Sequence, residues 1–192
     1  MGKPIRIHLT YKDYLDMPED GNRYEILDGE LAVTPTPTLS HQLASGELHL
    51  LFRSWTKVAG GLVIYAPATV YLAKDTILEP DLFWISADNL PHRSDGKIVR
   101  GAPDLVVEIL SPGTQSRDRG AKQQLYARFG VREYWLVNPM KRSVEIYTLA
   151  GGALVLHAGG SGEAPLASAM DARLVVHPAR LFVTWSGGSS SV

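Results

Sequence analysis

The chain reads as an α/β or α+β protein with a mixed central sheet flanked by helices, and three observations lead there. Residues 104–137 carry a short apolar strand, a helix and a second strand, the pattern of a β-α-β crossover and so of a parallel strand pair. Two hairpin signals, Asp28-Gly29 near the start and Gly151-Gly152 near the end, demand antiparallel pairing as well. An apolar content of 45% with 20% charged residues over 192 positions suits a chain that buries a core without staples.

Each element follows from local chemistry. Thr10 with Asp13 three residues on is a capping pattern, so a short helix is expected from Thr10 to about Met17. Arg23–Leu27 and Glu30–Val33 flank Asp28-Gly29 as an N-terminal hairpin. After a Pro/Thr loop, apolar residues at helical spacing predict a helix from about Ser40 to Lys57, broken at Gly60-Gly61. Leu62–Leu72 and Asp81–Ile85 read as strands joined by a polar turn, and residues 86–102 read as a polar, basic loop. Asp104–Leu110 is mostly apolar, as a central buried strand is, and Ser111-Pro112-Gly113 stops it. A helix from about Ser116 to Phe129 ends at Gly130, a left-handed cap, and Glu133–Val137 is the next strand. Ser143–Leu149 and Ala153–His157 form a C-terminal hairpin. Residues 1–183 are expected to make one domain, with 184–192 a flexible Gly/Ser tail.

Composition removes several function classes. There is no cysteine, which excludes disulfides and thiolate metal sites. The N-terminal residues lack the apolar stretch of a signal peptide and no 18-residue apolar run exists, so no membrane span and a cytoplasmic location are expected. The net charge of −1 is unevenly placed: 7 basic and 12 acidic residues over 1–92 (net −5), 10 and 5 over 93–142 (net +5), 2 and 3 over 143–192 (net −1). A basic middle beside acidic groups suits a site that attracts phosphate and holds a cation, although a solvated cluster of Arg and Lys has the same signature.

The anomaly in the central strand is Glu108, an acid between Val107 and Ile109. Side chains alternate, so Asp104, Val106, Glu108 and Leu110 share a face. A buried carboxylate needs a partner: a basic side chain from a neighbouring element, or a metal ion. Asp81 opens the preceding strand after Pro80, and if the two strands pair, Asp81 and Glu108 converge at one end of the sheet. Two carboxylates held together repel, and a divalent cation between them removes the penalty. Mg²⁺ suits one or two carboxylates completed by phosphate and water, with Mn²⁺ the alternative.

Lys122 on the following helix can reach back over the sheet end to stabilise charge on a phosphate, or can pair with Asp118 four residues earlier on its own helix. Glu47 falls inside the apolar arc of its helix with Leu43, Leu48, Leu51 and Phe52, so it is a candidate third metal ligand or an acid at the arc's margin. Glu25 and Glu30 are weaker candidates, and His41 serves to cap or pack. Nucleotide-cradling glycine loops, zinc-spaced histidine pairs and a serine-hydrolase elbow are absent.

These residues resemble a known family. Tyr24-Glu25-Ile26-Leu27-Asp28-Gly29-Glu30-Leu31 followed by Ser40-His41-Gln42 is similar to the opening of a restriction-endonuclease family greatly expanded in cyanobacteria, within the PD-(D/E)XK nuclease-like superfamily. Ala102–Thr114, Arg117-Asp118, Lys122, Tyr126 and Gly130–Pro139 resemble its most recognisable block, and the likeness runs from roughly residue 10 to 182. The resemblance implies a restriction-endonuclease-like fold and Mg²⁺-dependent hydrolysis of DNA phosphodiesters. It places the "PD" on Pro80-Asp81, the acid of "(D/E)XK" on Glu108, and a displaced lysine on Lys122, because Leu110 occupies the usual lysine position. Asn138 stands where that pattern has an aspartate before Pro139. Three functions stay open: a DNA endonuclease, an inactive nuclease-fold module that binds nucleic acid or a protein partner, and, ranked third, a metal-dependent hydrolase of another phosphoester. A homodimer follows by analogy, since cutting two strands takes two sites.

Overall fold

The computed structural model describes residues 7–90 and 98–182. The expected tail at 184–192 lies outside the described residues, as does residue 183 and part of the 86–102 loop.

The backbone forms a six-stranded sheet, a five-stranded sheet and a small two-stranded sheet. The six-stranded sheet runs β11(Ala153–Ser161), β10(Ser143–Ala150), β9(Glu133–Asn138), β8(Leu105–Ile109), β6(Leu82–Ile85), β3(Leu62–Tyr65). β8 and β9 are parallel, with Glu108 opposite Leu136, and the remaining pairs are antiparallel, so the sheet is mixed as the β-α-β pattern predicts. The five-stranded sheet runs β2(Glu30–Thr34), β1(Arg23–Leu27), β5(Thr76–Leu78), β4(Val70–Ala73), β7(Val99–Arg100). The chain passes from one sheet to the other through Glu79-Pro80-Asp81, between β5 and β6. Beyond β11, β12(Leu166–Ala167) and β13(Val175–Val176) pair antiparallel.

Both expected hairpins form. Asp28 and Gly29 have φ of 49° and 82°, the two left-handed positions that a tight turn between β1 and β2 requires. The first helix is shorter than expected, α1(Tyr11–Tyr14), but its Thr10/Asp13 capping box is present. The stretch read as one strand from 62 to 72 is two, β3 and β4, because Pro67 has no N–H with which to continue a ladder. β5 was read as turn, being only three residues long. The single helix expected over 116–129 is instead α3(Gln115–Arg117), a π-helical turn Asp118–Lys122, and α4(Gln123–Arg128). It ends, as expected, before Gly130 in the left-handed region at 84°.

Alternation along β8 sorts the core into two layers. Leu105, Val107 and Ile109 face α2(Leu39–Ala59) and pack with Ala44, Leu48, Phe52 and Trp55. Phe52 also meets Trp135 edge-on with ring centroids 5.3 Å apart. Val106 and Leu110 face the other way, onto Tyr126 and Leu125 of α4 and onto Leu27, Val70 and Leu78 of the five-stranded sheet. Each fully buried large apolar side chain stabilises by about 1.5–3 kcal/mol, so both faces of β8 are firmly fixed. A short helix, α5(Pro178–Leu181), closes the α2 side through Leu181. Glu108 therefore sits, with Val106 and Leu110, on the face that α4 and the five-stranded sheet cover. Among the described residues no helix is long and apolar enough to cross a membrane.

Candidate active site

Strand register brings the two acids together. Leu82 pairs with Val107, so Asp81, one residue earlier, falls beside Glu108 at the end of the β6–β8 ladder. Asp81 Oδ2 accepts a hydrogen bond from the Ile109 N–H at 2.8 Å, which locks its carboxylate across the strand end. Asp81 and Glu108 are each only 3% exposed, and both line one cleft of about 210 Å³ with Glu25, Arg117, Asp118 and Lys122.

Every acid in the cleft has a basic neighbour. The Arg23 guanidinium donates to Asp81 Oδ1 at 2.7 Å. His41 Nε2 lies 3.1 Å from Asp81 Oδ2, too bent to count as a hydrogen bond, and neither imidazole nitrogen has a hydrogen-bond partner among the described residues. Lys122 Nζ sits 2.6 Å from Glu108 Oε1, 2.9 Å from Glu25 Oε1 and 3.9 Å from Asp118 Oδ1. The Tyr126 hydroxyl donates to Glu108 Oε1 at 2.7 Å. The Glu79 N–H donates to Glu25 Oε1 at 2.8 Å, which ties β1 to the end of β5.

The π-helical turn helps to explain how a helix delivers so much charge inward. Such bulges recur at functional sites because they turn side chains off the regular helical stripe. Here Asp118 and Lys122 are both buried, and Tyr126, four residues beyond Lys122, reaches the same carboxylate.

Electrostatics separates the two acids. Burial raises the Asp81 carboxyl, but His41, Arg23 and the Ile109 N–H outweigh it and hold Asp81 well below the ordinary carboxylate range. Burial dominates at Glu108, reinforced by Asp118, Asp81 and Glu25 against the pull of Lys122, and its carboxyl is pushed up. Lys122 loses by burial and gains more from Glu108, Glu25 and Asp118, so its ammonium form is strongly favoured. Glu108 and Lys122 accordingly titrate as a coupled pair, burial favouring the neutral acid at Glu108 and the surrounding carboxylates favouring the ammonium at Lys122.

The comparisons with known proteins bear on this geometry. The Uma2 family model, described as "Putative restriction endonuclease", matches residues 11–172. The chain belongs to the Uma2 family. Its fold is similar to that of a crystal structure described as "a putative nuclease belonging to DUF820" from Anabaena variabilis ATCC 29413. The TM-score is 0.74 at 20% identity, covering 91% of this chain and 97% of that one. At that identity the likeness establishes a nuclease-like fold. No curated protein matches.

The Uma2 chain brings Asp81, Glu108 and Lys122 into one cleft, as its sequence suggests, but leaves Glu47 elsewhere. Glu47 is half-buried in a separate groove with Leu50, Leu51 and Arg180. The apolar arc was broad enough to include it, yet its stem lies along the margin that faces α5 rather than the sheet end. Glu30 is exposed on β2, and Glu25 joins the site after all. Asn138, the last residue of β9, accepts from the Lys141 N–H at 3.0 Å and so ties the strand end to the turn that follows. Arg23, His41, Arg117, Asp118 and Tyr126 were not singled out for the site. One signal was available: Arg23 and Glu25, two apart on a strand, must share a face.

The donor set can be tested against a divalent ion. Among the described residues no three His, Cys, Asp or Glu side chains are grouped to hold a metal. Two neighbouring carboxylates are nonetheless what Mg²⁺ uses when water and phosphate complete its shell, and all their donor atoms are hard oxygens. The lining is mixed in charge, with four acids (Glu25, Asp81, Glu108, Asp118) facing three bases (Arg23, Arg117, Lys122). Asp81 and Glu108 are the two carboxylates that would hold such an ion.

Proposed function

We propose that this Uma2 chain is a divalent-metal-dependent endonuclease that hydrolyses DNA phosphodiester bonds, with Asp81 and Glu108 holding Mg²⁺ or Mn²⁺ and Lys122 assisting. The observation that carries the reading is the convergence, in one buried cleft, of an acid from the start of β6, an acid from β8 and an amine from the π-helical turn. A bound ion would supply an activated water and neutralise developing charge on the phosphate. The chain's own groups do the rest. Asp81 is kept ionised by Arg23 and oriented by the Ile109 N–H. Tyr126 fixes the rotamer of Glu108. Lys122, held by Glu108 and Glu25 in this structure, would donate to a phosphate oxygen once turned toward the cleft. Cutting both strands takes two such sites, so a homodimer is part of the proposal.

A second reading rests on a specific feature, the internal neutralisation of Asp81 by Arg23 and of Glu108 by Lys122. Such a site can persist as a nuclease-fold module that binds nucleic acid or protein without cutting. Incubating the purified protein with supercoiled plasmid and Mg²⁺ or Mn²⁺ separates the two. Nicking by the wild type and none by Asp81→Ala is expected; identical plasmid profiles for both proteins would rule the endonuclease out.

A further inference from the structure

Lys122 occupies an unusual position for a residue meant to meet substrate. It is 2% exposed and its ammonium is ringed by Glu108, Glu25 and Asp118 from three different elements. In that arrangement the amine is held at hydrogen-bond distance by Glu108 and Glu25, with Asp118 close by, so it faces carboxylates and not the open cleft. The ammonium lies 2.6 Å from Glu108 Oε1. A divalent ion held by either oxygen of that carboxylate would sit within a few ångströms of the ammonium, and two cations so close in a buried cleft repel strongly.

We propose that Lys122 is a placeholder: it neutralises Glu108 while the site is metal-free and is displaced into the cleft when a divalent ion is taken up. This deepens the endonuclease reading and rests on it. Two features make the displacement feasible. The departing amine keeps an acidic anchor on its own helix in Asp118, and the cleft into which it moves is bordered by Thr34, Gly113 and Thr114, which leave room beside Arg117. The arrangement couples the two halves of the chemistry, since the amine becomes available to a phosphate only once the metal is present. It also keeps a buried carboxylate paired in the empty state, when leaving it alone would be costly.

The test uses the full chain and Mn²⁺ alone, without DNA. Reductive methylation of the wild type, read by peptide mass spectrometry, should find Lys122 protected in chelator and at least about tenfold more reactive at saturating Mn²⁺. Titration calorimetry should find Mn²⁺ bound about tenfold more tightly by Lys122→Met, because a charge-assisted hydrogen bond no longer competes for Glu108. Unchanged protection of Lys122 at saturating Mn²⁺ overturns the proposal whatever the affinities, and it does so on wild-type protein even if Lys122→Met fails to fold. Mn²⁺ binding without release of Lys122 leaves the endonuclease reading standing; no Mn²⁺ binding by either protein defeats that reading as well.

Discussion

Arg23→Met tests the electrostatic logic of the cleft most directly. It retains much of the aliphatic stem but removes the guanidinium 2.7 Å from Asp81 Oδ1. Asp81 is 3% exposed and ionised, so the variant leaves a buried negative charge short of its main counter-ion. Breaking a buried pair costs about 3–5 kcal/mol in general. The lower end applies here, because Asp81 keeps the Ile109 N–H and the nearby His41, and because the Arg23 side chain is 19% exposed. A loss of about 3 kcal/mol in a chain of this size lowers Tm by about 6–12 °C.

The pH dependence supplies the sharper check. A carboxyl held below its unfolded value stabilises the fold at pH above that unfolded value, and this stability disappears as pH falls through the folded value. Asp81 behaves so in the wild type, where its neighbours overcome burial. Without Arg23 one of the contributions that hold Asp81 down is lost, so Asp81 takes up its proton at a higher pH than in the wild type; once neutral it no longer needs the cation. The gap in Tm between wild type and Arg23→Met should therefore be widest near pH 7 and narrow as pH falls toward the wild-type Asp81 value of about 2. Differential scanning calorimetry at matched pH values measures it. A gap under about 2 °C at pH 7, or one that stays constant with pH, would refute the assignment of Asp81 as a buried carboxylate dependent on Arg23.

Three further outcomes follow from the same contacts. Tyr126→Phe deletes one hydrogen bond to Glu108 and keeps the ring packed on Tyr134, so urea unfolding should show a loss of about 1.5–3 kcal/mol. Glu133→Ala strips the acceptor shared by Trp135 Nε1, Ser168 Oγ and the Met170 N–H, and a loss of about 3–5 kcal/mol by the same method is expected. Glu47→Ala, in the groove beside α5, should change stability by less than about 0.5 kcal/mol and leave Mn²⁺ affinity as it was in calorimetry.

The parts of this molecule that were legible in sequence share a physical property: their signal is local. Asp28-Gly29, Gly130 and the apolar run with one acid at Glu108 each declare themselves within a few residues, and the hairpins, the crossover and the Asp81–Glu108 pair follow. The π-helical turn is different, since Asp118 and Lys122 at spacing four look like an ordinary surface pair, and only burial under the five-stranded sheet shows both turned inward. Glu47 misled for the converse reason. An arc on a helical wheel gives direction relative to the helix and says nothing of which neighbour covers each edge. Arg23 is hidden, and Glu25 ranks only as a weaker candidate, because their strand belongs to the other sheet, and their place in the site depends on how the two sheets meet at Glu79-Pro80-Asp81. That dependence has a mechanical meaning. The carboxylates come from β6 and β8 within one sheet, whereas the Arg23 that neutralises Asp81 and the Glu25 that shares Lys122 come from β1 in the other. The charge balance of the cleft is thus set by the docking of the N-terminal hairpin, and any movement of β1 against β6 alters the ionisation of Asp81 and the hold on Lys122 together.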